Sequence, residues 1–203
     1  MDLPFAVPDP RFRKKAEEID GDQGVVKSTA DDLAQLKPVV EGGTVTFGGQ
    51  THPADGNAAI VVSGLDRTRE LSADSTVQIR ILSAGQSRVE LAYMPEAPTN
   101  AARLALQHAN LSFEDIDVIK THNPFAVNDI IFARDTGVRV EDFNNFGCSL
   151  IWGHPQAPTA MRSVIELIEE LVMRGGGNGL FTGCAAGDSA MALVLAVDNR
   201  PTG

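Results

Sequence analysis

Three side chains in this sequence are of types that move protons or attack carbonyl carbon. They are His122 in KTHNPFAV, His154 in IWGHPQAP and Cys184 in FTGCAAGDS. Histidine and cysteine together can supply a general acid, a general base and an orienting group. Each of the three stands at a junction between expected elements, which is where open α/β sheets hold ligands. Their intervals match no compact zinc pattern, so no metal is expected. Taken singly, each histidine could equally be structural, and a buried cysteine often serves as a small hydrophobe. Spacing alone goes no further than an α/β domain with a Cys/His site.

The elements that must position these groups can be read from periodicity. The run AAIVVSG over 58–64 is continuously apolar, which predicts a strand buried on both faces. VQIRIL over 77–82 alternates and predicts a strand with one wetter face. A helix is expected over 99–109, with Ala102, Ala105, Leu106 and Ala109 on one face. SFED over 112–115 has the form of a capping box. A strand over 116–119 should lead to His122, and a helix over 124–134 should follow it. His154 is expected after a Gly-rich strand and before a long helix in TAMRSVIELIEELVMR. That helix puts positions 161, 164, 165, 168, 171 and 172 on an apolar face, leaves Glu166, Glu169 and Glu170 mostly outside it, and ends at Gly175–Gly177. Strands over 179–184 and 190–197 follow, joined by the tight AAGDS turn that begins just after Cys184. Strands alternating with helices predict an α/β fold, with a mixed β-sheet layered by α-helices.

Residues 1–55 do not read as a self-contained core. They hold five prolines, a charged stretch and one short helix candidate over 29–36. They are expected to form a loop or linker segment that wraps a partner, a disordered tail being the alternative. Residues 56–203 are expected to form the folded domain. The 203-residue chain carries 27 acidic and 17 basic residues, for a formal net charge of −10, so phosphate backbones would repel it and nucleic-acid binding is not expected. No apolar run approaches the ~20 residues of a membrane helix, so no membrane association is expected. The N-terminal residues lack the order of a signal peptide. With only two cysteines, a reducing, cytoplasmic setting is the simplest expectation.

Four strings in order resemble one family. GCSLIWGHPQAP and MRGGGNGLFTGCAAGDSA resemble the Gly-His-Pro segment and the C-terminal cysteine turn of thiolases. HNPFA over 122–126 resembles the family's Asn-Glu-Ala-Phe box, and more closely the His-Asp-Cys-Phe variant of the sterol-carrier branch. GTVTFGGQTHPADGNAAIVV over 43–62 resembles the segment leading into the family's C-terminal domain. The resemblance runs over about residues 25–197. Thiolases are about twice this length, and their nucleophilic cysteine lies in the N-terminal half. The chain is therefore similar to a thiolase C-terminal half, and the resemblance implies one subunit of a split enzyme, a fragment of a longer chain being the alternative.

That resemblance implies transfer of an acyl group between coenzyme A and a carbon nucleophile, with a 3-oxoacyl-CoA as substrate. Coenzyme A would be a co-substrate, with no cofactor held permanently. His154 would activate the nucleophilic thiol and donate to the thioester oxygen. Cys184 would exchange the α-proton, and His122 would stabilise the enolate oxygen in place of the family's Asn. Asn123 and Pro124 depart from both forms of the box. Thr51, His52, Asn123 and Phe125 would lie along the substrate and coenzyme A path, an ordinary surface loop being the alternative for the first two. Cys148, where the family usually has Gly, reads as structural.

The implied partner is a second half-thiolase chain bearing the nucleophile, in a hetero-oligomer built on a two-fold dimer. Some members of this branch are also accompanied by a small zinc-ribbon and OB-fold protein. Two other readings compete: a non-catalytic thiolase-like scaffold, and a retro-aldolase or other acyltransferase on the same fold.

Overall fold

The computed structural model describes residues 4–8, 11, 16–21 and 24–199. Parts of the expected wrapping segment (1–3, 9, 10, 12–15, 22 and 23) and the C-terminal residues 200–203 lie outside them. Strands β1 (Phe5–Pro8) and β2 (Ala16–Ile19) pair antiparallel in a small sheet that the sequence pattern did not predict. The short helix candidate is real but brief. Helix α1 spans Ala30–Ala34, with Thr29 accepting from the Asp32 N–H at its N-cap and the Asp32 carboxylate returning to the Thr29 N–H.

The run 58–64 is the largest departure. It belongs to no strand, and Ile60, Val61 and Val62 are exposed. The expectation of a buried strand fails because no strand among the described residues pairs with the run. A short helix, α2 (Leu65–Leu71), follows, also without a buried residue.

From Val77 onward the chain builds one sheet. Strand β3 (Val77–Arg88) leads to α3 (Ala97–Ala109), then β4 (Val118–His122), α4 (Ala126–Thr136), α5 (Ser149–Trp152) and α6 (Thr159–Met173). Strands β5 (Gly176–Ala185) and β6 (Ser189–Asn199) form the closing hairpin. The strand order is β3-β6-β5-β4, antiparallel except for the parallel β4–β5 pair. A mixed sheet with helices on both faces is the α/β layering that the sequence pattern predicts.

Alternation along the strands builds the two faces. Ile119, Leu180, Ala192 and Val194 pack with Ala101, Ala102, Ala105 and Leu106 of α3. Val118, Phe181, Leu195 and Val197 pack with Val164, Leu167 and Leu171 of α6. The alanine face of α3 lies very close to β3: a Cβ on Gly85 would sit 2.3 Å from the Ala101 carbonyl oxygen. Only glycine fits there.

The α6 register corrects the expected face. Met161 is exposed, whereas Glu170 is completely buried. The physical reason is a buried cation: Lys120 reaches from β4 to 3.9 Å from Glu170 and 3.7 Å from Glu166, and Arg174 bonds Glu170 at 2.7 Å. Buried charges persist only when paired in this way.

Candidate active site

The carboxyl ends of β4 and β5 place two of the three reactive groups. His122 ends β4 and Cys184 is the penultimate residue of β5. The parallel register sets His122 opposite Gly183, so Cys184 follows one residue further along. A Cβ on Gly183 would stand 2.9 Å from the His122 Cβ, so this glycine lets the two strands meet at the site.

His154 arrives by a different route than expected. No Gly-rich strand precedes it. Instead α5 makes a single helical turn, closed by the Trp152 N–H on the Cys148 carbonyl at 2.9 Å. The Ser149 N–H at the start of that turn donates to Asn123 Oδ1 at 3.1 Å, which ties the turn to the end of β4. The chain then passes Gly153, and the His154 ring stands 4.5 Å from that of His122, centroid to centroid, tilted by 53°.

The segment 50–53 closes the other side. Gln50 bridges to Phe125 and Pro53 to His154, while the His154 N–H donates to the His52 carbonyl at 2.8 Å. The Thr51 N–H donates to the Pro124 carbonyl at 2.8 Å, and its hydroxyl donates to the Ser149 carbonyl. Thr51 and His52 are half-buried against the site rather than lying on a free surface loop. Phe125, also half-buried, is the N-cap residue of α4. Asn123 is brought in too, but both ends of its amide are used within the protein. Its Nδ2 donates to Asp129 at 2.5 Å and its Oδ1 accepts from Ser149. All seven residues singled out in the sequence thus converge on one end of the sheet, with Asn123 acting on its architecture.

Each reactive group has a polar companion that the sequence reading missed. His122 Nδ1 is 2.9 Å from the Ser149 hydroxyl, and His154 Nδ1 is 2.8 Å from the Thr159 hydroxyl. Asn128 Nδ2 lies 3.9 Å from the Cys184 sulfur. These are contacts between elements, and no local periodicity encodes them. The nearest sequence signal is Thr159, a hydroxyl at the start of the helix that follows His154.

Burial sets the protonation states. His122 is only 7% exposed. Loss of solvent, aided by the nearby His154 and the Arg162 cation, lowers its pKa from 6.5 to about 4. Burial and then Arg162 also hold His154 below the ordinary histidine range. Burial pushes the Cys184 thiol up, against a smaller opposing effect from Asn128. Near neutral pH the site therefore presents two neutral imidazoles and a protonated thiol. Such a set can take one proton, donate hydrogen bonds to a developing oxyanion, and give a proton to carbon.

Three comparisons bear on this arrangement. Residues 75–197, which span β3 to β6 and contain His122, His154 and Cys184, match the family model described as thiolase, C-terminal domain. The chain belongs to the thiolase family. The 3-ketoacyl-CoA thiolase of Erwinia tasmaniensis is 34% identical over 193 residues, covering 85% of this chain and 44% of that protein. The acetyl-CoA acetyltransferase of Syntrophomonas wolfei is 32% identical over 179 residues, covering 87% and 45%. Among solved structures, the Bacillus anthracis acetyl-CoA acetyltransferase superposes with a TM-score of 0.82 at 27% identity, over 96% of this chain and 49% of that one. The human mitochondrial 3-ketoacyl-CoA thiolase in complex with CoA gives 0.79 at 26% identity, over 89% and 46%. The chain thus spans about half the length of the thiolases it matches. Among the described residues of this thiolase domain, no helix is long and apolar enough to cross a membrane.

Proposed function

We propose that the chain is the C-terminal half of a two-chain thiolase of the sterol-carrier-like branch. It would supply His122, His154 and Cys184 while a second chain supplies the nucleophilic cysteine. The observation that carries this reading is the pairing of the two histidine rings at 4.5 Å beside β5, the strand that carries Cys184. The histidine at 122, in HNPF, favours the sterol-carrier-like form of the box over the Asn form.

In the cleaving direction, His154 takes the proton from the partner's cysteine thiol, which His154's depressed pKa keeps it free to do. The thiolate adds to the 3-oxo carbon of a 3-oxoacyl-CoA. The bond between carbons 2 and 3 then breaks, leaving an acyl-cysteine and the enolate of acetyl-CoA. The electron pair resides on the enolate oxygen, which accepts a hydrogen bond from His122. Cys184, protonated because it is buried, delivers its proton to carbon 2. A second coenzyme A thiol gives its proton to the Cys184 thiolate, its sulfur takes the acyl group from the partner's cysteine, and His154 returns its proton to the departing cysteine thiolate. Every step runs equally in reverse.

These roles require opposite tautomers in adjacent rings. His154 can accept at Nε2 only if its Nδ1–H donates to Thr159. His122 can donate from Nε2 only if its Nδ1 accepts from the Ser149 hydroxyl. Each hydroxyl suits its task, since it can donate or accept.

A reduced Cys184 agrees with a reducing, cytoplasmic setting, and both cysteines are free. The test is to purify the tagged chain with its native partner and supply acetoacetyl-CoA and coenzyme A. Formation of acetyl-CoA by the complex, and none by the chain alone, is expected. A stoichiometric complex that forms no acetyl-CoA would overturn the reading.

A further inference from the structure

Helix α4 buries only two of its residues, Asn128 and Phe132. They stand four apart and so share one helix face. Phe132 packs in the core that α3 covers. At 128 the same face carries an amide, 4% exposed, where that packing calls for an apolar side chain. Asparagine is also among the weaker helix formers. The amide is not spent on the fold. Among the described residues, its Oδ1 is buried without a hydrogen-bond partner. Its Nδ2 points at the Cys184 sulfur, 3.9 Å away. A buried acceptor left unpaired costs the fold stability, and an apolar group of the same shape would not. Leucine at 128 would therefore serve the helix better.

We infer that Asn128 is the positioning residue of Cys184: its Nδ2–H donates to the sulfur, aims it at carbon 2 of the substrate, and stabilises the thiolate left when the proton has gone there. This rests on the reaction proposed above. In that reaction the Cys184 S–H bond breaks and its electron pair stays on sulfur, while the enolate's pair forms the new C–H bond. The thiolate persists until the coenzyme A thiol returns a proton. Cys184 is half-buried, so water solvates that anion poorly. His122, on the adjoining strand, is neutral near pH 7 and supplies no counter-charge. The Asn128 amide, with the backbone N–H of Cys184 itself, is what stands by the sulfur. Donation to the charged form favours it. The helix turn that carries Asn128 is held in place. The next residue, Asp129, accepts from the Thr121 hydroxyl at 2.8 Å and from Asn123 Nδ2 at 2.5 Å, which ties α4 to the end of β4.

The test compares the full chain with Asn128→Leu, each in complex with the native partner. Three readings are taken: the melting temperature, the pH midpoint of Cys184 alkylation by iodoacetamide (followed on the peptide that carries it), and deuterium uptake into the methyl group of acetyl-CoA. Leucine keeps the shape and removes the unpaired acceptor, so the melting temperature should hold or rise. The alkylation midpoint should move up by about one pH unit, because a donor to the thiolate is lost. Deuterium uptake should fall about tenfold or more, since one unit is a factor of ten in thiolate. An amide with a purely structural role would move the first reading and leave the other two. A folded Asn128→Leu complex with an unmoved midpoint, or with undiminished uptake, overturns the assignment and leaves the two-chain reading standing. So does a variant that melts far below the wild type, which would give the amide to the fold. A wild-type complex that takes up no deuterium and forms no acetyl-CoA overturns that reading, and the role of Asn128 with it.

Discussion

His122 and His154 face each other at 4.5 Å, yet each leans on its own hydroxyl: Ser149 for the first, Thr159 for the second. Two neutral imidazoles at this separation avoid the repulsion of two cations. The hydroxyls allow one ring to be a base and the other a donor. The first prediction concerns these hydroxyls. Thr159→Val removes the group that orients His154 and should lower kcat for acetoacetyl-CoA cleavage by about 10–100-fold, by analogy with the loss of other orienting partners. Ser149→Ala should do the same through His122. Nitrogen chemical shifts of the labelled complex should report the Nδ1–H tautomer for His154 and the Nε2–H tautomer for His122. The same tautomer in both rings would contradict the assignment of roles.

A second prediction concerns stability and acid. The His122 pKa is lowered in the fold from 6.5 to about 4, so its neutral form is favoured there. Its contribution is fully present above pH 6.5 and is lost as pH falls toward 4, because the unfolded chain takes up the proton first. The loss amounts to about 3 kcal/mol across that window. His122→Gln removes this titration. Denaturant unfolding of the two proteins at several pH values should show the wild type losing that much more stability than the variant. A parallel decline in both would contradict a buried, neutral His122.

The pH dependence of kcat/KM gives the third prediction. His154 must be neutral to accept a proton, and its pKa is lowered by burial first and by Arg162 second. The acid limb of the profile should therefore fall below the ordinary histidine value. Arg162→Gln removes the cation near both rings, so the limb should move to higher pH while remaining below that value, since burial persists. Arg162 also donates to the Gly153 carbonyl at 3.4 Å, so kcat can fall as well. The limb's midpoint separates the two effects. A midpoint that stays in place or moves down would contradict the electrostatic account.

Behind the site, Lys120 and Glu170 form the buried ionic contact that joins β4 to α6. Glu170→Ala leaves the Lys120 cation buried with Glu166 at 3.7 Å as its remaining acidic neighbour. The expected cost is about 3–5 kcal/mol in urea unfolding. Replacing both residues with methionine should recover most of that loss. A single-variant cost below about 1 kcal/mol would assign the contact no more weight than an exposed pair.

Much of this architecture was legible because local patterns and tertiary packing agree. The alanine face of α3 and the Gly-bounded α6 form near their expected limits, VQIRIL starts β3 where expected although the strand runs on to Arg88, and His122 and Cys184 fall at strand ends with His154 in the loop before α6. The exceptions share one cause, which is dependence on a distant partner. Glu170 of α6 is polar by pattern but buried because Lys120 reaches it from β4. Ser149, Thr159 and Asn128 serve the site only through folding of separate segments. Val61 and Val62 have the pattern of a buried strand, and among the described residues no strand pairs with them.

The most direct test of the central claim reads Cys184 and His122 without the full cycle. The purified complex is given acetyl-CoA in deuterium oxide, and deuterium entering the acetyl methyl group is measured by mass. Exchange needs only an acid/base at that carbon and a donor to the enolate oxygen. The account predicts exchange by the wild-type complex and a loss of about 10²–10⁴-fold in Cys184→Ala, the usual range for one acid/base group. Undiminished exchange in Cys184→Ala would contradict it.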